Sequence, residues 1–82
     1  MSEMAVLELS EAVSRDPDVM SGEIVFKDTR VPVWMLFDHL RHGHRLSEFF
    51  RSYPGVSADQ ADAVLSWSLE EIRRLFEEKK SA

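Results

Sequence analysis

Between residues 33 and 80, apolar side chains recur in three runs at helical spacing, and this restricts the chain more than any other feature. Val33, Leu36, Phe37 and Leu40 keep i, i+3, i+4, i+7 spacing and predict a helix from about Pro32 to His42. Pro32 pre-sets its first turn, and Gly43 stands where a left-handed cap is wanted. Leu46, Phe49, Phe50 and Tyr53 repeat the spacing and predict a second helix from about Ser47 to Tyr53, with Ser47 as N-cap. Pro54-Gly55 ends it. Ser57 and Gln60 form a capping box that opens a third, long helix. Its stripe is Ala61, Val64, Leu65, Ile72, Leu75 and Phe76, with Trp67 and Leu69 at the margins. The far end, Ile72 to Phe76, is expected to outrun the intramolecular core.

Upstream the signals change. Asp16-Pro17-Asp18 and Ser21-Gly22 are turn punctuation. Ile24-Val25-Phe26 and Arg30-Val31-Pro32-Val33 are short β-prone runs joined by Lys27-Asp28-Thr29. Pro32 cannot donate to a ladder, so the second run is brief or lies at an edge. Before them, Val6, Leu7 and Leu9 alternate weakly with polar residues, as in a short strand or irregular arm. The expectation is one mainly helical domain over residues 1–82: an arm at 1–12, a β element at 13–33 and a three-helix bundle at 33–80.

Charge is distributed unevenly. Residues 1–23 carry one Arg against six acids (−5), residues 24–58 five basic residues against three acids (+2), and residues 59–82 four against six (−2). Simple tight binding to nucleic acid is disfavoured by the net −5, because affinity there comes mostly from phosphate neutralisation. With no cysteine in so small a chain, a reducing cytoplasm is expected. No basic-then-apolar leader and no membrane-spanning run is read in the sequence.

The order Asp16-Pro17-Asp18-Val19, Gly22, Ile24 to Val33, then Tyr53-Pro54-Gly55-Val56-Ser57 resembles the pattern of the domain-of-unknown-function family 433. In that family a Gly-Thr-Arg-Ile/Val-Pro-Val signature precedes the helices, and a Tyr-Pro turn introduces the last one. The signature residues are Thr29, Arg30, Pro32, Tyr53 and Pro54, and the resemblance spans roughly residues 13–72. The family's glycine before Thr-Arg is Asp28 here, so positive φ in that turn falls on an aspartate. A second family glycine is Glu23. The resemblance implies a homeodomain-like three-helix fold with a small N-terminal β element. It also implies an antitoxin-like role beside a PIN-like ribonuclease toxin in bacterial type II toxin–antitoxin pairs.

Several groups compete as sites. Arg30 either contacts a phosphate or carboxylate bidentately, or locks the β element to Asp62 or Glu48 while Thr29 bonds the turn backbone. Arg41, His42, His44, Arg45 and Arg51, with Lys27, form either a DNA-backbone patch or a solvated loop at a helix C-terminus. The last two helices have the order of a helix-turn-helix. The would-be recognition helix, however, begins with Asp59, Gln60 and Asp62, and carboxylates there repel phosphates. His39, His42 and His44 lack the partners of a metal set and are read as solvent-facing. No nucleophile motif or glycine-rich phosphate loop appears, so catalysis, metal and cofactor are not expected. Trp34, Trp67, Ile72, Leu75 and Phe76 exceed what a three-helix core needs and point to a subunit interface.

Two functions therefore stand. One is an antitoxin-like homodimer that neutralises a nuclease toxin, with its acidic N-terminal arm (Glu3, Glu8, Glu11, Asp16, Asp18) covering a basic groove, and that binds DNA as autorepressor. The other is an interaction or dimerisation module without a nucleic-acid role.

Overall fold

A computed structural model describes residues 7–81, with side chains described as far as residue 78. The expected arm is only partly an arm. Leu9–Ala12 form a helical turn, α1, packed against the last helix, with Ala12 fully buried. Residues 1–6, and with them Glu3 of the acidic arm, lie outside the described residues. The chain then runs through β1 (Val13–Ser14), a turn at Met20–Gly22, β2 (Val25–Phe26), α2 (Trp34–Arg41), α3 (Leu46–Ser52) and α4 (Ala58–Ser81).

The β element is present, but its main pairing is not between the runs at 24–26 and 30–33. β2 pairs antiparallel with β1, Val13 opposite Phe26 and Ser14 opposite Val25. The 30–33 run contributes only a bridge, Val25 to Pro32, supported by Phe26 N–H to the Val31 carbonyl and Val33 N–H to the Ile24 carbonyl, both 3.0 Å. Proline's missing N–H limits the run to that edge contact. The 26–29 turn closes through Thr29 N–H to the Phe26 carbonyl (3.0 Å), and Asp28 takes φ +64°. Thr29 Oγ1 donates to the same carbonyl (2.8 Å) and accepts from Val31 N–H (3.0 Å).

The helices follow their terminal chemistry. α2 ends in a Schellman arrangement: Gly43 at φ +84°, His44 N–H to the His39 carbonyl (3.0 Å) and Gly43 N–H to the Leu40 carbonyl (3.1 Å). Ser47 is not the cap of α3. The helix begins one residue earlier, at Leu46, because the Glu48 carboxylate accepts the backbone N–H of Arg45 (2.7 Å). The Ser57–Gln60 capping box of α4 is complete, Ser57 N–H to Gln60 Oε1 at 2.8 Å and Gln60 N–H to Ser57 Oγ at 3.1 Å.

These pieces close on one core. Phe26 from β2, Leu36 from α2, Phe49 from α3, and Val56, Ala61 and Val64 at the start of α4 are buried together. Phe49 is its centre, with ring centroids 6.1 Å from Phe26, 5.1 Å from Tyr53 and 5.4 Å from His39. Gln60 is the buried polar member. Its Nε2 donates to the Lys27 carbonyl (3.0 Å) and reaches the Ala12 carbonyl (3.5 Å), tying α4 to the β2 turn and to α1.

Two stability measurements follow. In urea unfolding, Gln60→Ala is expected to cost about 2 kcal/mol, since it removes a cap and leaves the part-buried Lys27 carbonyl without its donor, while the Ala12 carbonyl keeps the Lys27 N–H. Ser57→Ala is expected to cost about 1 kcal/mol; equal costs would refute the tie. Asp28→Gly is expected to hold or raise stability by up to about 1 kcal/mol, while Asp28→Val lowers it by about 2 kcal/mol, because only glycine adopts positive φ without penalty.

Candidate interaction surface

The signature residues serve the fold before anything else. Thr29 closes its turn, and a Cβ built on Gly55 would stand 3.6 Å from Thr29 Cγ2, so the β2 turn and the Tyr53-Pro54-Gly55 turn lie against each other. Pro32 is buried and Tyr53 half-buried on the core. Arg30 is the exception. It is exposed and, among the described residues, pairs with neither Asp62 nor Glu48, so the expected lock is not formed. Arg30 instead lines a cavity of about 440 Å3 with Arg15, Asp16 and Asp28.

The central basic zone is partly neutralised by its own acids. Arg41 Nη2 lies 3.4 Å from the Asp38 carboxylate, and His42 Nδ1 lies 3.6 Å from the same oxygen and 2.8 Å from the Asp38 carbonyl. His44 Nδ1 is 3.6 Å from Glu48. The backbone N–H of Arg45 holds the Glu48 carboxyl below its ordinary pKa, with His44 and Arg51 adding to the effect. Lys27 Nζ donates to the Ser10 carbonyl (3.3 Å). Arg45 and Arg51 are exposed and, among the described residues, make no ion pair. The histidines are not uniformly solvent-facing. His39 is half-buried, edge-on to Phe49 and Tyr53, with Nδ1 3.3 Å from the Met35 carbonyl. Among the described residues no cluster of His, Cys, Asp or Glu could hold a metal.

The start of α4 is poorly suited to reading bases. Asp59 and Asp62 are exposed and acidic, while Gln60, the residue type that reads adenine, is buried and occupied on both its oxygen and nitrogen.

Apolar exposure concentrates elsewhere. Trp34, Trp67, Ile72, Leu75 and Phe76 are 50%, 44%, 62%, 47% and 62% exposed, so α4 does outrun the core. Leu9, Ile24, Phe37, Trp67 and Ile72 line an open groove of about 400 Å3 with Val64 beneath. Three of these walls were not singled out as surface: Phe37 reads as core from its spacing, and Leu9 and Ile24 reach the groove only through tertiary packing. The groove adjoins a second hollow of about 420 Å3 through Leu9, Val13 and Ile24, and Arg15 stands at that hollow's far edge. No helix among the described residues is long and apolar enough to cross a membrane.

A comparison with curated proteins finds no match. Among solved structures, a DUF433 member protein from Anabaena variabilis ATCC 29413 is similar, with a TM-score of 0.65 and 26% identity over 85% of this chain and 69% of that chain. The model of the DUF433 family, proteins of unknown function, matches residues 13–74. That span holds the capped β turn, the Tyr-Pro turn and the first two-thirds of α4, and this chain belongs to the DUF433 family.

Proposed function

We propose that the chain is a non-catalytic interaction protein of the antitoxin type, acting as a homodimer that holds a PIN-like ribonuclease partner in the cytoplasm. One observation carries the reading: a groove walled by Leu9, Ile24, Phe37, Trp67 and Ile72 that the chain's own core leaves uncovered. Large apolar side chains gathered in one concave surface mark contact with another protein.

The acids fit the same reading. Glu8, Glu11, Asp16, Asp18 and Glu23 are exposed within one short segment that holds a single cation, Arg15. A nuclease groove that accommodates RNA is positive, and an acidic segment complements it. Deleting this segment is an unsuitable test, because Ala12 is buried and accepts from Gln60. Charge reversal is the cleaner probe. Co-expressed with the product of the adjacent reading frame, the chain is expected to co-purify with a small nuclease and silence it. Glu8→Lys combined with Asp18→Lys is expected to weaken that complex at least tenfold without altering the far-ultraviolet circular dichroism. An undiminished complex would remove the acidic segment from the interface. Absence of any nuclease complex would remove the antitoxin reading.

DNA contact, as an autorepressor, falls to Arg45 and Arg51 rather than to α4. Arg45→Ala is then expected to weaken gel-shift binding of upstream DNA uniformly across sequences and to flatten its salt dependence. No binding at low salt favours the module without a nucleic-acid role.

A further inference from the structure

Trp67 borders two hollows of different chemistry. One is the apolar groove; the other, of about 360 Å3, is lined by Ser66, Trp67 and Glu70 of α4 and by Leu7 and Glu8, which lead into α1. The helix itself gathers its three members, because Ser66 and Trp67 stand four and three residues before Glu70 and share its face. Glu8 comes to the same place because α1 packs against α4, with Ala12 buried. Its backbone is fixed locally. The Glu8 carbonyl accepts the N–H groups of Glu11 (2.8 Å) and Ala12 (3.1 Å), and its own N–H donates to the Glu11 carboxylate (2.9 Å).

The lining selects one kind of side chain. Trp67 is 44% exposed, and among the described residues its indole makes neither a hydrogen bond nor a ring contact. An indole face attracts a cation, and two carboxylates in the same hollow attract a donor of positive charge. A guanidinium answers both demands, since it stacks flat on the ring while its N–H groups donate in its own plane. An apolar side chain would cover the indole but strip water from two carboxylates without replacing their hydrogen bonds. An ammonium has no flat face to stack. The chain's own cations do not fill this role. Arg73 Nη1 lies 3.3 Å from Glu70 Oε2, with the two side chains 65% and 64% exposed, and makes no contact with the Trp67 ring. An exposed pair of that kind is weak and yields readily to a better-placed cation. Arg74 is held between Glu71 and Glu78.

We infer that this hollow is a site for one arginine side chain presented by a partner protein, its guanidinium lying on the Trp67 indole and donating to Glu8 and Glu70. The site gives the acidic 8–23 segment a specific anchor in place of diffuse charge, and a stacked, doubly bonded arginine is a strong single contact in a protein interface. This deepens the reading of the chain as a protein that meets a basic partner, and rests on that reading for the source of the arginine, but not on the partner being a nuclease.

The probe is N-acetyl-arginine amide, titrated into the isotope-labelled full chain and followed by nuclear magnetic resonance. Trp34 and Trp67 are the chain's two tryptophans, so their indole N–H resonances are told apart with Trp34→Phe. The Trp67 resonance is expected to shift saturably, with half-saturation in the millimolar range, while that of Trp34 stays in place. N-acetyl-citrulline amide, which keeps the shape and loses the charge, is expected to move neither. Glu8→Gln combined with Glu70→Gln, both at exposed positions, is expected to weaken binding at least fivefold. The inference is overturned if Trp67 does not respond at tens of millimolar arginine amide, or if the citrulline compound moves it equally. It is overturned equally if the double variant binds as tightly as the unmodified chain. Should that variant misfold, the citrulline comparison on the unmodified chain decides. No nuclease enters the titration, so failure here removes the arginine site alone, and a failed co-purification removes the nuclease alone.

Discussion

The buried carboxamide of Gln60 is the contact on which the rest of the arrangement depends. Its oxygen completes the cap of α4, and its nitrogen reaches backbone carbonyls in the β2 turn and at the end of α1, 33 and 48 residues away. Most of the fold's other contacts are apolar and non-directional, so they tolerate sliding. A half-satisfied amide in a low-dielectric interior does not, because each stranded donor or acceptor costs about 1–3 kcal/mol. That penalty fixes where α4 sits relative to the β element, and so where the groove walls Leu9, Ile24 and Trp67 meet. For a small domain with roughly 5–10 kcal/mol of total stability, one such tie is a large share.

The same side chain sets the start of α4 apart from that of a recognition helix. In a helix-turn-helix, the first turn of the second helix reaches base edges. Here that turn faces solvent with Asp59 and Asp62, and its amide is turned inward. The molecule has spent its most DNA-like position on its own architecture. What it leaves exposed is apolar: the groove, and a helix that continues past its core from Leu69 to Phe76. Among the described residues that surface stays open to solvent, as a contact surface for another protein does.

Much of this was legible in the sequence where a local rule decides the outcome. The Ser57–Gln60 box, the Gly43 terminus and the positive φ at Asp28 each depend on a few neighbouring residues. The overrun of α4 also follows from spacing, since an apolar stripe of that length exceeds what two short helices cover. The rest depends on a competing cap or on tertiary contacts. Glu48 reaches back to Arg45 and moves the start of α3. β2 pairs with Val13–Ser14, a segment with almost no strand signal, because Pro32 leaves the nearer run short of donors. Phe37 has core spacing yet borders the groove, and Arg30, expected to be locked, is not.

Amide hydrogen exchange of the unmodified chain, followed as a function of its concentration, tests the account most directly. Amides of residues 60–64 report the Gln60-centred core, which belongs to each monomer. Amides of residues 69–76 lie on the exposed far half of α4, which a second molecule covers in the proposed homodimer. The account predicts that protection at 60–64 is independent of concentration, while protection at 69–76 rises at least tenfold between low and high micromolar chain. Protection of both regions that is equal and independent of concentration would contradict it.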